Sequence, residues 1–413
     1  MKLHHGLPAI VLAGAIVSGC TGQAGSPAPV TRAPAASGEA SKAAASMNAF
    51  GFDFYKAALT TGGNAVVSPA SIVIALSMAR MGAAGETGSQ MDTVLHSPGA
   101  AGLNSLDHAF SGLTTSFKDA NGTDHEVVLR MANAPFAQRD EKWEQPYVDA
   151  LVSWYGATLQ PVDFIGNLPG AIGQINYWVS DQTQARIPQL LDKLDPLTRL
   201  VLVNAIYMKA PWLLPFDEHW TVPAPFTKLD GSKVNVVTMT GGSNDLRYAE
   251  GSGWQAVELP YGGGALAMTI VVPADLATFE RSLTAERFAT ITGAFKESHM
   301  IVTLPRFKIE TKSDLADALS SMGMPLAFDE RKADFSGITK QEPLYIAAVV
   351  HQANISVDEK GTEASAATAV VAAATGMSTP PPEVHVDRPF IFAVRDTHTG
   401  AILFLGRVVD PSA

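Results

Sequence analysis

The sequence predicts an α+β fold in which large, mostly antiparallel β-sheets pack against helices. Three observations carry this expectation. Long apolar runs such as "RLVLVNAIYMKA" (199–210) and "ALAMTIVVP" (265–273) have strand length and composition. Stretches of helical periodicity lie between such runs, as in "SPASIVIALSMARMGAAG". The chain has 413 residues, 46% hydrophobic and 17% charged, which is enough apolar material to bury a sizeable core. A formal charge of −11 leaves no basic stripe to neutralise phosphates, so a nucleic-acid partner is not expected.

The N-terminus reads as an export signal. In "MKLHHGLPAIVLAGAIVSGC", Lys2 precedes an apolar run from Leu7 to Val17 and then small residues, a layout too short for a confident membrane span. Residues 1–19 are expected to be a signal peptide. The run Val17-Ser18-Gly19-Cys20 resembles a bacterial lipobox, in which Cys20 is lipidated and becomes the mature N-terminus; the alternative is an ordinary signal peptide that happens to contain a Cys. Cys20 is the only cysteine, so no internal disulfide can form. Residues 20–45, rich in Gly, Ser, Pro and Ala, are expected to be a disordered tether. The folded domain is expected over 46–413, with no second linker and no internal repeat.

Within that domain the first helix is expected around 44–60. The next begins at Ser68-Pro69, a cap followed by proline in the first turn, and Ile72, Ala75, Leu76 and Ala79 line one face. Further helices are expected near 103–118, 140–154, 167–183 and 313–322. Strands are expected at 125–136, 199–210, 234–240, "WQAVELPY", 265–273, "HMIVTLPRFKIE", "LYIAAVVHQANISV" and "AILFLGRVV". The Asp230-Gly231 pair marks a turn.

Enzyme motifs are scarce. There is no GxSxG elbow, HExxH, Walker loop or CxxC. Glycines 82, 85 and 88 follow a helix, whereas a dinucleotide loop needs a preceding strand. The sequon Asn121-Gly122-Thr123 reads as a polar turn. The ten histidines show no metal-ligand spacing, and no cofactor or metal is expected. His351, within "AAVVHQANISV", reads as an interior hydrogen-bonded histidine, because no nucleophile can be assigned to it.

Several long segments, in order, resemble the serpin family: "NAVVSPASIVIALSMARMGAAGETGSQM" (64–91), "LVNAIYMKAPWLLPFDEHWT" (202–221) and "VELPYGGGALAMTIVVP" (257–273). They are followed by "LPRFKIETKSDLADALSSMGMPLAFDERKADFSGI" (304–338), "VVHQANISVDEKGTEASAATAV" (349–370) and "DRPFIFAVRDTHTGAILFLGRVVDP" (387–411). The resemblance runs from about residue 46 to the end. It implies one domain of three mostly antiparallel sheets, eight or nine helices and an exposed reactive-centre loop at about 359–382. It also implies a metastable native state. A target serine protease attacks the loop and becomes an acyl-ester, and the loop then inserts as a strand into the main sheet. Ser68, Ser71, Asn204 and His351 match the family's polar cluster beneath the point where that sheet opens, and Trp212 matches the tryptophan where insertion begins.

Residue chemistry fits this reading independently. The stretch "GTEASAATAVVAAA" from Gly361 has no proline, so every residue can donate to a ladder, and its side chains are small. On strand alternation Thr362, Ala364, Ala366, Thr368 and Val370 would face the core; Glu363, Ser365, Ala367 and Ala369 would face solvent. The hinge, Glu359 through Gly361 to Thr368, therefore has the pattern of inhibitory members. A flexible Ala/Ser/Thr linker is the bland alternative for the same stretch.

The scissile bond is expected at Met377-Ser378, with Thr375-Gly376 as the alternative, since the loop is about three residues longer than the common pattern. No Arg or Lys lies between Gly361 and Val386, which argues against trypsin-like targets. The implied activity is suicide inhibition of an elastase-, subtilisin- or chymotrypsin-like protease by a monomer anchored in a bacterial envelope through Cys20. A non-inhibitory serpin acting as a surface binding or structural protein is the competing reading. An envelope hydrolase using His351 is a third, which lacks a nucleophile.

Overall fold

The computed structural model describes residues 30–58, 62–119, 122–362 and 381–413. Nine α-helices lie among them: α1 (Glu39–Ala58), α2 (Pro69–Arg80), α3 (Gly85–Val94), α4 (Gly99–Ser111), α5 (Gln145–Ala150), α6 (Leu168–Gln182), α7 (Leu276–Arg281), α8 (Ala285–Gly293) and α9 (Ala316–Met322). The strands of one large sheet are β2 (Thr115–Lys118), β3 (Asp124–Gln138), β4 (Gln160–Val162), β5 (Leu200–Pro211), β12 (Phe307–Asp314), β13 (Val350–Asp358) and β14 (Gly361–Thr362). The remaining strands are β1 (Ala65–Val67), β6 (Val222–Thr227), β7 (Lys233–Thr240), β8 (Asn244–Gly251), β9 (Trp254–Pro260), β10 (Leu266–Pro273), β11 (Lys296–Pro305), β15 (Glu383–His385), β16 (Phe390–Asp396) and β17 (Ile402–Val408).

The large sheet runs β12-β13-β14-β5-β3-β2, with β4 joined to β3. The other strands form a continuous path that bends at β11. The first half of β11 pairs with β8, and the second half pairs with β7 and β15. The bend separates a sheet containing β1, β17, β16, β10, β9 and β8 from a small sheet of β15, β11, β7 and β6. Three sheets result, antiparallel except where β4 meets β3 and β15 meets β11. The α+β expectation holds.

The large sheet lies between two cores because β5 is apolar on both faces. Leu202, Ile206 and Met208 point into the main core with α2. Val201, Val203 and Ala205 point into a second core under α6, with Ile187, Leu190 and Leu191 from the segment that follows it. Helix α2 forms as the sequence predicts: the Ser68 hydroxyl accepts from the Ser71 amide at 3.2 Å and Pro69 opens the first turn. The Asp230-Gly231 turn also forms, with Gly231 at φ 80°.

Several expectations change. Within 103–118, Thr115–Lys118 is an edge strand and not helix. The run "HMIVTLPRFKIE" is two strands broken at Arg306, whose amide bonds to the Val237 carbonyl. In "LYIAAVVHQANISV" the strand starts only at Val350. Of the expected tether, residues 32–45 are built into the fold. Helix α1 starts at Glu39, and Ala43 and Ala44 are fully buried; an alanine-rich stretch suits a helix as well as a linker. Residues 1–29, including Cys20, lie outside the described residues, as does Asn121.

Candidate functional site: the hinge and the seam beneath it

The segment expected to begin the reactive loop forms a tight hairpin with β13. The Asp358 carboxylate accepts from the amides of Lys360 (2.9 Å) and Gly361 (3.2 Å), closing the turn with its own side chain. Gly361 then enters the large sheet at φ 145°, and a Cβ there would sit 2.2 Å from the Ala210 carbonyl oxygen. Only glycine fits that position. Gly361 pairs with Asp358 and Pro211, and Thr362 pairs with Val357 and Ala210. The hinge thus stands as a two-residue strand between β13 and β5.

An aromatic platform lies beneath these two residues. Trp212 is buried, its indole N–H donates to the Asp358 carbonyl at 2.9 Å, and its ring stacks on Tyr261 with centroids 4.3 Å apart. The Tyr261 hydroxyl meets the Thr362 hydroxyl at 2.6 Å, and burial pushes the phenol's pKa far up, so it stays protonated. The amides of Trp212 and Phe216 donate to the carbonyls of Lys360 and Glu359. Thr362 is therefore held on the core side, as alternation predicts.

Glu359 is the buried charge of the site. Its carboxylate accepts from Arg306 Nε (2.9 and 2.8 Å) and Nη2 (2.7 Å), and from the Thr221 hydroxyl (2.6 Å). Burial raises its pKa, but these donors outweigh burial and hold it below the usual carboxylate range. The same contact raises the pKa of Arg306. Sequence reasoning placed Glu359 in the hinge but missed Arg306, Thr221, Asp358 and Tyr261. The signal available was general: a buried acid requires a cation.

Lower on the seam, Ser68, Ser71 and His351 come together as the resemblance implies. All three are buried, and the Ser68 amide donates to His351 Nε2 at 3.2 Å. The ring proton therefore sits on Nδ1, which has no partner among the described atoms, and neither has the Ser71 hydroxyl. Burial lowers the His351 pKa to about 4, so the ring is neutral. An enclosed imidazole whose Nε2 lone pair is already taken is not placed to act as a base. The Asn204 backbone lies on β5 opposite Asn133; its side chain is not described. Trp212 belongs to the hinge, apart from this cluster. Hinge residues Glu363, Ala364, Ser365, Ala366, Ala367 and Thr368, and the bond candidates Thr375, Gly376, Met377 and Ser378, lie outside the described residues. No group of three metal-ligating side chains occurs among the described residues.

A two-residue strand wedged into the seam of a large sheet, above a buried Ser-Ser-His cluster, is distinctive, and sequence comparison agrees with it. The family described as Serpin (serine protease inhibitor) matches residues 45–411. This chain belongs to the serpin family. The serpin is 38% identical to an uncharacterised serpin-like protein of Thermococcus kodakarensis, over 88% of this chain and 85% of that protein. It is 36% identical to leukocyte elastase inhibitor A of Mus musculus, over 84% and 93% of the two chains. Among solved structures it resembles Tengpin, a thermophilic serpin in its native state, with TM-score 0.80 and 26% identity over 93% and 97% of the chains.

Proposed function

We propose that this serpin inhibits serine proteases as a suicide substrate. The protease serine attacks a loop carbonyl, the peptide bond breaks, and the new amino terminus leaves with the proton. The acyl-ester is then trapped because the freed hinge runs into the large sheet. The observation that supports this best is the started strand at Gly361–Thr362.

If the strand continued in the register of Gly361 and Thr362, Ala364 would lie between Ile355 and Met208, and Ala366 between Ala353 and Ile206. The flanking residues Ile355, Met208, Ala353 and Ile206 belong to the main core, so small inward side chains are what the seam requires. Thr368 would then lie between His351 and Asn204, and its hydroxyl would be offered to the unpaired His351 Nδ1. Each added ladder bond contributes about 0.5–1.5 kcal/mol net. A dozen such bonds, together with apolar burial, drive insertion forward.

The loop chemistry favours elastase-, subtilisin- or chymotrypsin-like targets, with cleavage at Met377-Ser378 or Thr375-Gly376. The protein is read as a monomer held to a bacterial envelope membrane by lipidated Cys20, after removal of residues 1–19. Incubation with elastase tests the inhibitory reading. A complex that survives SDS and is lost in Ala366→Pro supports it; clean cleavage without any complex favours a non-inhibitory binding or structural role. Mass spectrometry of the released fragment fixes the bond.

A further inference from the structure

The segment before α1 is clamped to the body of the protein. The Arg32 guanidinium pairs with Asp107 and donates through Nε to the Asn104 side chain at 3.1 Å. Asn104 Nδ2 donates to the carbonyls of Ala33 (3.0 Å) and Pro34 (3.2 Å), and His108 Nε2 reaches the Ala33 carbonyl at 3.1 Å. The Ala36 amide donates to the Ser105 hydroxyl at 2.8 Å, and the Ala33 amide donates to the Ser153 carbonyl at 2.8 Å. Asn104 and Ser105 are buried. An alanine- and proline-rich arm fixed by this many directed bonds is a docked element and not a free linker.

Docking changes the geometry of attachment. If the tether ran free from Cys20 to residue 46, its contour would be about 90 Å, and the protein could turn any face to a membrane. With the arm docked from Arg32, the chain advances only twelve residues beyond Cys20. That spans about 42 Å when fully extended and about 19 Å on average as a flexible coil. A body of this length has a radius of gyration of about 21 Å and is about 54 Å across. The leash is shorter than the body.

We propose that the flank built by the docked arm, α4 and the turn at 151–155 is the membrane-facing surface of this serpin, its partner being the lipid surface that holds Cys20. This rests on the anchor reading above and deepens it: the arm sets orientation, which lipidation alone would leave open. Helix α4 packs against α1, the segment 151–155 and β3, whereas β7, which begins at Lys233, packs against β6 and β11. Lys233 pairs with Thr227, next to Lys228, whose ammonium reaches the Asp410 carboxylate at 3.5 Å. Lys233 therefore reports on a different flank from α4.

The test uses full-length lipidated protein on phosphatidylethanolamine–phosphatidylglycerol vesicles carrying a headgroup nitroxide. With Cys20 acylated, an engineered cysteine is the only free thiol, so Ala101→Cys on α4 and Lys233→Cys can each be labelled with a fluorophore. The label at 101 is expected to be quenched several-fold more strongly than the label at 233. A long Gly/Ser spacer between Pro29 and Val30 should remove the difference. Equal quenching at the two sites, or a difference that survives the spacer, overturns the inference. Failure of the protein to float with vesicles, matched by Cys20→Ala, overturns the anchor itself and the orientation with it.

Discussion

The hydroxyls of Tyr261 and Thr362 meet at 2.6 Å beneath the first core-facing residue of the hinge. Tyr261 also carries Trp212 on its ring face, so one side chain positions both Thr362 and the indole that holds the Asp358 carbonyl. Replacing Tyr261 by Phe keeps the stack and removes the hydrogen bond. Native stability should fall by about 1–2 kcal/mol, the cost of a buried hydroxyl left unpaired at Thr362. Thermal unfolding of the intact protein checks this.

Gly361→Ala places a methyl group where the Ala210 carbonyl oxygen stands at 2.2 Å. The two-residue strand should be expelled from the seam, at a cost of about 1–3 kcal/mol from strained backbone alone. Insertion should slow, and more of the acyl-ester should hydrolyse before trapping. The molar ratio of inhibitor consumed per protease inhibited should rise above the wild-type value in titrations.

Arg306→Ala leaves Glu359 with only Thr221 as a side-chain donor in a buried site. Because Arg306 itself is about half exposed, the loss should be nearer 2 kcal/mol than the larger cost of breaking a fully buried pair. Glu359→Gln in the same chain should recover part of it, since a neutral amide needs no counter-ion. Comparing urea midpoints of the single and double variants measures the coupling.

His351 makes native stability depend on pH. Its folded pKa, about 4, lies below the ordinary 6.5, so the unfolded chain takes the proton first. The stabilisation it represents is complete above pH 6.5, is lost as pH falls toward 4, and is constant below that. A shift of this size corresponds to about 3 kcal/mol. His351→Gln should flatten the decline between those limits relative to wild type, as read by denaturant unfolding at a series of pH values.

Much of this site was legible in the sequence because local chemistry fixes it. Ser68-Pro69 specifies a helix start wherever it lies, and strand alternation puts Thr362 on the core side, where it is buried. The Arg306–Glu359 pair was not legible: the partners are 53 residues apart, and no local pattern links a strand break to a hinge acid. Tyr261 was hidden for the same reason, since its role depends on one sheet packing beneath another. The break at Arg306 within "HMIVTLPRFKIE" was marked only by Pro305, against strand-forming residues on both sides of it. The N-terminal arm misled because alanine and proline describe a free linker and a docked arm equally well. Arg32 and its partners on α4 decide between them.

The central claim is that the loop becomes a strand of the large sheet. The measurement that tests it most directly is thermal unfolding of the protein cleaved within its loop, compared with the intact form. Insertion predicts a large rise in Tm on cleavage, abolished by Ala366→Pro. A cleaved form that melts with, or below, the intact protein would contradict the account.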